Sequence, residues 1–414
     1  MPKTVIEKII SAHGGGDPHP GDIVWMDIDY RSARDFGGAN VVSHLYKNYP
    51  ENPLGDVNKT FFTFDTNAPA NTIGYADNQH ICRNFAREYG VKVFDVDRGI
   101  GTHTAIEEGL VWPGATGVGT DSHFNILGAI GAFGQGMGDQ DVAFIFKAGK
   151  TWFEVPPTMK VNFKGVMPSN CTARDLTLKL VGTLGASGAL GKAVELGGEA
   201  VDKLDLAGRI TLASMATETG AISYFIQPSP EVLDYCKQCS GRRDIAPVLP
   251  DPDAEYAETR EIDVSDLEPL IACPPSPDNV VPVREVAGKK IDSVFIGSCT
   301  NGRIEDIRAV ADVLRGKKIA PGVMMKIVPA TREVYRQMLA EGLLAELFDA
   351  GAIITGAGCG GCASGQVGMT GKGEVQLSTS NRNFPGKQGA GQTYLCSPVT
   401  AALSALNGEI TLWT

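Results

Sequence analysis

Gly356-Ala357-Gly358-Cys359-Gly360-Gly361-Cys362 is the stretch around which this chain is organised. A third cysteine stands upstream in Ile296-Gly297-Ser298-Cys299-Thr300-Asn301-Gly302. Each cysteine group follows a short apolar run, Val294-Phe295-Ile296 in one case and Ala352-Ile353-Ile354 in the other. Glycines beside a thiolate let the backbone crowd a bulky inorganic centre and turn amides toward its sulfurs. Three soft thiolates suit an iron–sulfur cluster, and three leave one metal corner open for a substrate. Taken alone, Cys359-x-x-Cys362 also reads as a redox pair or as half of a zinc site. Cys396, or Cys236-x-x-Cys239, could then complete a closed tetrahedron.

The rest of the composition narrows the class. At 414 residues the chain exceeds one typical core and divides into two or three domains. Hydrophobic residues make up 43% and charged residues 21%, as in ordinary globular proteins. No apolar run reaches the ~18 residues of a membrane span. The start, Met1-Pro2-Lys3-Thr4-Val5-Ile6-Glu7-Lys8-Ile9-Ile10, is too short and too charged for a signal peptide and reads as an amphipathic helix. Nine cysteines, an odd number at low density, point to a reducing compartment such as the cytoplasm. A net charge of -11 argues against a nucleic-acid surface, which needs clustered Lys and Arg, but leaves room for a local basic pocket.

Along the chain, strands alternate with helices. Strands are expected at Ile23–Met26, Thr60–Phe64, Val91–Phe94 and Val323–Val328, and from Lys150 to Lys164 with a break at Val155-Pro156-Pro157. Helices are expected at Val41–Tyr49, Asn78–Tyr89, Leu127–Gly136, Thr172–Gly185, Leu204–Gly220, 304–315 and Thr331–Asp349. The segment Asp27–Asp35 reads as a polar connection. This alternation predicts an α/β fold with largely parallel sheets, whose ligands collect at the carboxyl ends of strands. Ser240–Glu285 is polar and proline-punctuated, and predicts a boundary. The expected division is 1–284, ending in a linker at about 240–284, and 285–414 with the cysteines. In Gly119-Thr120-Asp121-Ser122-His123, an Asp two residues before a His on a strand end can orient the imidazole. Arg382 matches a carboxylate in bidentate geometry, with Lys387 close behind it.

Four segments together resemble a known family. They are Phe295-Ile296-Gly297-Ser298-Cys299-Thr300-Asn301-Gly302-Arg303, Gly358-Cys359-Gly360-Gly361-Cys362, Ser378-Thr379-Ser380-Asn381-Arg382-Asn383-Phe384 and Gly119–His123. The family is the aconitase superfamily, and within it the large subunits of the 3-isopropylmalate dehydratase and homoaconitase type. The resemblance runs nearly end to end. It implies an aconitase-like fold of several α/β domains around a [4Fe–4S] cluster held by Cys299, Cys359 and Cys362. It implies a hydro-lyase acting on a small anionic 2-hydroxy di- or tricarboxylate. His123, Asp121, Glu218 and Asp65 then match catalytic positions, and Ser122, Asn381, Arg382, Lys387 and Arg34 match substrate-binding ones.

Departures from the family's pattern accompany the match. Asp65-Thr66 stands where Asp-His is usual, and Thr102 where His is usual, although His103 lies one place along. Arg34 stands where Gln or His precedes Asp35, and Lys387 where Arg is usual. These changes leave room for an alternative, a dehydratase of another substituted malate, dimethylmalate-like or citramalate-like, without full isomerase activity. An iron-responsive RNA-binding role, known in some relatives, runs against the acidic balance. The superfamily's swivel domain carries a Gly-Ser-Ser-Arg loop that supplies a serine base. No such sequence occurs here, and the expectation is a separate small subunit that provides it.

Overall fold

The structure, a computed structural model, describes residues 2–362 and 367–413. Three mostly parallel sheets dominate it. A five-stranded all-parallel sheet runs in the order Lys92–Phe94, Thr60–Thr63, Tyr30–Arg34, Thr116–Gly119, Phe133–Gly136. A four-stranded parallel sheet follows, ordered Ser223–Ile226, Ala193–Gly197, Thr158–Lys164, Glu258–Asp263. The third has seven strands, ordered Val280–Pro282, Leu270–Ala272, Gln392–Leu395, Val375–Ser378, Ser293–Ile296, Met324–Ile327, Ile353–Ile354. Leu270–Ala272 pairs antiparallel with both of its neighbours, and the other pairings are parallel. Parallel strands need helical crossovers that cover both faces, which accounts for their near-continuous apolar sequence. No helix among the described residues is long and apolar enough to cross a membrane.

The cysteine-bearing sheet forms as its pattern dictates. Helix Ile304–Leu314 buries Ile304, Ile307, Val310, Ala311 and Leu314, one stripe at helical spacing. That stripe packs on Val294 and Ile296 of the strand that leads into Cys299. Each fully buried Leu, Ile or Val contributes about 1.5–3 kcal/mol. Together they hold the strand ends at which the two cysteine loops begin.

Several expected elements differ. Tyr30–Arg34, read as part of a polar connection, is the central strand of the five-stranded sheet and is buried from Tyr30 to Ala33. The expected helix Leu127–Gly136 is a short 3₁₀ helix, Phe124–Ile130, followed by strand Phe133–Gly136. Gly131 at φ 72° ends the helical turns. The expected helix Leu204–Gly220 runs only from Leu206 to Ala213, so Glu218 sits on a separate turn, Thr217–Thr219. Thr331–Asp349 splits into Arg332–Ala340 and Leu343–Ala350 at Gly342, φ 75°. The proline-punctuated stretch is woven into two sheets: Glu258–Asp263 joins the four-stranded one, and Leu270–Ala272 and Val280–Pro282 join the seven-stranded one. The changeover between those sheets therefore falls inside it, between Asp263 and Leu270.

Candidate active site

Every segment expected to carry chemistry, apart from the Glu218 turn, leaves the carboxyl end of a parallel strand. Arg34 ends Tyr30–Arg34, Asp65 follows Thr60–Thr63, and Asp121 and His123 follow Thr116–Gly119. Cys299 follows Ser293–Ile296, Cys359 follows Ile353–Ile354, and Asn381 and Arg382 follow Val375–Ser378. The five-stranded and seven-stranded sheets meet at these ends. The Cys359 backbone N–H donates to Asp65 O at 2.9 Å, and Ile100 N–H donates to Ala330 O at 2.8 Å. Strand ends of two sheets converging in one crevice form the recurrent ligand site of open α/β folds.

The Cys299 loop is conformationally unusual. Ser298, at φ 71°, is the one non-glycine with positive φ among the described residues. A residue held there costs about 1–3 kcal/mol and persists only where its surroundings over-determine it. The surroundings do so: Ser298 Oγ accepts from Thr300 N–H, and Gly297 N–H donates to Thr379 Oγ1 at 3.0 Å. The result turns Cys299 inward, with its Sγ 3.3 Å from Asn381 Oδ1. Gly360, φ 64°, lies on the ring of Phe295, and a Cβ there would come within 2.7 Å of it. Cys299, Ala330 and Cys359 belong to one buried cluster. The backbone of Cys362 closes the turn Gly360–Cys362, while its side chain lies outside the described residues.

Arg34 joins three of these groups. Its Nε donates to Asp65 Oδ1 at 2.6 Å, Nη1 to Asp121 Oδ1 at 3.0 Å, and Nη2 to Cys359 Sγ at 2.7 Å. A charged residue inside a strand is tolerable because both carboxylates are buried beside it. Burial works against the guanidinium charge, yet Asp121, Asp65 and Cys359 outweigh it and hold Arg34 firmly charged. Burial also pushes Asp65 up to about 6 against the pull of Arg34. For Asp121, Arg34 and His123 outweigh burial and keep it below the usual carboxylate range.

A second network lies alongside. Glu218 Oε1 accepts from Arg382 Nε at 2.6 Å and lies 3.2 Å from His123 Nε2. Burial favours the protonated carboxyl, but His123 and Arg382 outweigh it and leave Glu218 below its usual pKa. The imidazole is thus oriented by Glu218. Asp121, expected to do this, accepts the backbone N–H of His123 at 3.0 Å and spends its charge on Arg34. Arg382 Nη1 also reaches Ser122 Oγ at 3.4 Å. Asn381 donates from Nδ2 to Ser214 O at 3.1 Å, which turns its Oδ1 to Cys299. Lys387 is half-buried in the following turn, and among the described residues no side-chain bond links it to the Glu218 network.

The departing positions have distinct fates. Thr66 caps Asp35 through its backbone, and its hydroxyl lies 3.5 Å from Asp65 Oδ1. Thr102 is buried, and among the described residues its hydroxyl has no partner. His103 lies against the carbonyl of Cys299, with Nε2 at 3.0 Å, and Nδ1 has no partner among the described residues. A carbonyl only accepts, so Nε2 carries the proton. Burial, with Arg303 adding to it, lowers the His103 pKa to about 3, and the ring is neutral. The sequence offered His103 only as a neighbour of the expected site, since its contact lies far along the chain.

Residues 75–290 and 284–408 match the aconitase family (aconitate hydratase). The chain belongs to that family. The 3-isopropylmalate dehydratase large subunit 1 of Methanopyrus kandleri is 44% identical over 414 residues, covering 99% of each chain. The homoaconitase large subunit of Thermus thermophilus is 41% identical, over 99% of this chain and 97% of its own length. In fold, the chain is similar to the crystal structure of Thermococcus kodakaraensis aconitase X in its holo-form. The TM-score is 0.56 at 15% identity, covering 97% of this chain and 95% of that one.

Proposed function

We propose that this chain is the cluster-binding large subunit of a hydro-lyase acting on a small 2-hydroxy di- or tricarboxylate of the substituted-malate type. The carrying observation is the convergence of the Cys299 and Cys359 loops with the Arg34 and Glu218 networks on strand ends of facing sheets. Close relatives bear the names 3-isopropylmalate dehydratase and homoaconitase, which supports both the reaction class and the chemical type of substrate.

The donor set fits a [4Fe–4S] cluster. Cys299 and Cys359 are soft, buried ligands, and Arg34 Nη2 against Cys359 Sγ is the kind of donor that steadies ligating sulfur. Cys299, Cys359 and Cys362 would hold it. With only three protein ligands, such a group supplies a Lewis-acid corner for the hydroxyl and carboxylate of a substrate. The chain's own residues do the rest. Arg382 and Ser122 bind carboxylate, and Lys387 adds positive charge at the rim. His123, its Nε2 held by Glu218, carries a proton at its other ring nitrogen, Nδ1, toward the departing hydroxyl. Asp65 and Asp121 fix Arg34 at the crevice floor. The carbon-bound proton passes to a base supplied by a separate small subunit, consistent with the relatives' designation as large subunits. The reducing cytoplasm suits a chain with nine cysteines, an odd number at low density.

A dehydratase that stops at the alkene is the second reading. It is favoured by the absence of an imidazole at Thr66 and by the engagement of His103 with a backbone carbonyl. Co-purification with a small subunit under anaerobic conditions, iron loading, and assay on isopropylmalate, dimethylmalate and citramalate tests both. Formation of the isomeric hydroxy acid supports isomerase action, and alkene that persists supports the simple dehydratase. No turnover of any alkylmalate by a loaded two-subunit preparation would overturn the proposal.

A further inference from the structure

Two arginines, Arg174 and Arg209, are the largest wholly buried side chains among the described residues. They are satisfied very differently. Arg209 spreads its donors over three carbonyls, Leu204 O at 2.8 Å, Gln227 O at 2.6 Å and Asp202 O at 3.2 Å. Among the described residues Arg174 makes one hydrogen bond, from Nη2 to Ser380 O at 2.7 Å. Its Nε and Nη1 are buried without partners, and among the described residues no carboxylate forms an ion pair with it.

Neither nearby acid pairs with it, although Glu218 Oε2 is buried without a partner among the described residues. Asp175 accepts from Thr172 N–H and Thr172 Oγ1, both at 2.8 Å, and from Leu270 N–H at 2.9 Å. Glu218 holds His123 and Arg382. A buried guanidinium with a single neutral acceptor is a costly arrangement in a folded chain, and it calls for a missing anion. Its position indicates which. Ser380, whose carbonyl Arg174 holds, directly precedes Asn381, and Asn381 Oδ1 faces Cys299 Sγ. Burial lowers the pKa of Arg174 to about 10, and Cys396, Asp175, Glu218 and Cys299 work to raise it. Neither composition nor spacing marked this residue, and nothing in the proposed chemistry uses it.

We infer that Arg174 is a charge-balancing and positioning residue: its buried cation is neutralised by the thiolate-held cluster, so cluster loading and folding stability are coupled through it. The inference rests on Cys299, Cys359 and Cys362 as the cluster ligands. Through Ser380 the same side chain also fixes the loop that presents Asn381 and Arg382.

The test compares full-length wild-type, Arg174→Met and Arg174→Lys chains, each iron-free and after anaerobic loading with iron and sulfide. Loading raises the Tm of the wild type. The rise is at least halved in Arg174→Met and largely retained in Arg174→Lys. A chelator strips iron from Arg174→Met about fivefold more readily, the factor set by an interaction of about 1 kcal/mol. The reduction potential of the loaded Arg174→Met chain moves negative, which loss of packing alone would not produce. Should Arg174→Met fail to fold, Arg174→Gln provides the same comparison. A loaded neutral variant with the wild-type gain in Tm and the wild-type potential overturns the inference alone. A wild-type chain that takes up no iron overturns the ligand assignment and the inference with it.

Discussion

Replacing Glu218 by Gln removes one negative charge and very little volume, which makes it a sharp probe of the site. A single oxygen, Oε1, serves Arg382 at 2.6 Å and His123 at 3.2 Å. The amide oxygen of Gln can accept both bonds, so the geometry can survive while the charge does not. Hydrogen bonds to charged groups contribute about 1.5–3 kcal/mol, against about 1 kcal/mol for neutral ones. Two weakened bonds therefore predict a loss of about 1–4 kcal/mol in folding stability at neutral pH. The sign with pH follows from the lowered carboxyl. A group whose pKa falls on folding stabilises above its unfolded value, here the usual 4.5, and loses that contribution on acidification. The deficit of Glu218→Gln is expected at pH 7 and should fade below about pH 4. For catalysis, loss of the group that holds the proton-carrying imidazole predicts a fall in kcat of about 10²–10⁴. Denaturant unfolding at both pH values, and kcat of the iron-loaded two-subunit enzyme at equal iron content, are the measurements. A variant with kcat within threefold of wild type, or an equal stability deficit at both pH values, would refute the assigned role.

Other expectations follow from the same geometry. Cys299→Ser, Cys359→Ser and Cys362→Ser should each abolish the brown colour of the anaerobic protein, while Cys236→Ser, Cys239→Ser and Cys396→Ser keep it. Visible absorption and iron content decide. Ser298→Val places a β-branched residue at φ 71° and should cost about 1–3 kcal/mol, with faster iron loss, whereas Ser298→Gly is tolerated. Unfolding free energies and iron release report the difference. Lys326 is buried against Gly368 O and Gln376 Oε1, and burial lowers its pKa to about 8. Below that pH the folded chain holds an unfavourable buried charge, so this residue's contribution to stability should improve between pH 8 and 10. Lys326→Met should flatten that rise by about 3 kcal/mol, read by denaturant unfolding across the range.

Much of the site was legible because its residues sit next to strong local signals. The apolar runs before Cys299 and Cys359 and the stripe on helix Ile304–Leu314 announce strand, loop and helix without tertiary help. Tyr30–Arg34 was not legible, since two arginines in five residues read as a solvated connection. The acids that neutralise Arg34, Asp65 and Asp121, lie far along the chain, and no window of sequence joins them. The pairing of His123 with Glu218 is of the same kind: a neighbouring Asp121 looked sufficient, but Arg34 had already engaged it. The Gly- and Ala-rich run after His123 has the composition of a helix, but Gly131 at φ 72° ends the helical turns and a strand follows.

The central claim is that three cysteines of this chain hold a cluster whose remaining corner binds the substrate. Mössbauer spectroscopy of the anaerobic chain, loaded with ⁵⁷Fe and paired with the proposed small subunit, tests it most directly. The prediction is about four irons per chain, one of which changes its spectrum when an alkylmalate is added. A colourless protein with a single tetrahedral zinc, or a cluster whose irons all ignore the hydroxy acid, would contradict it.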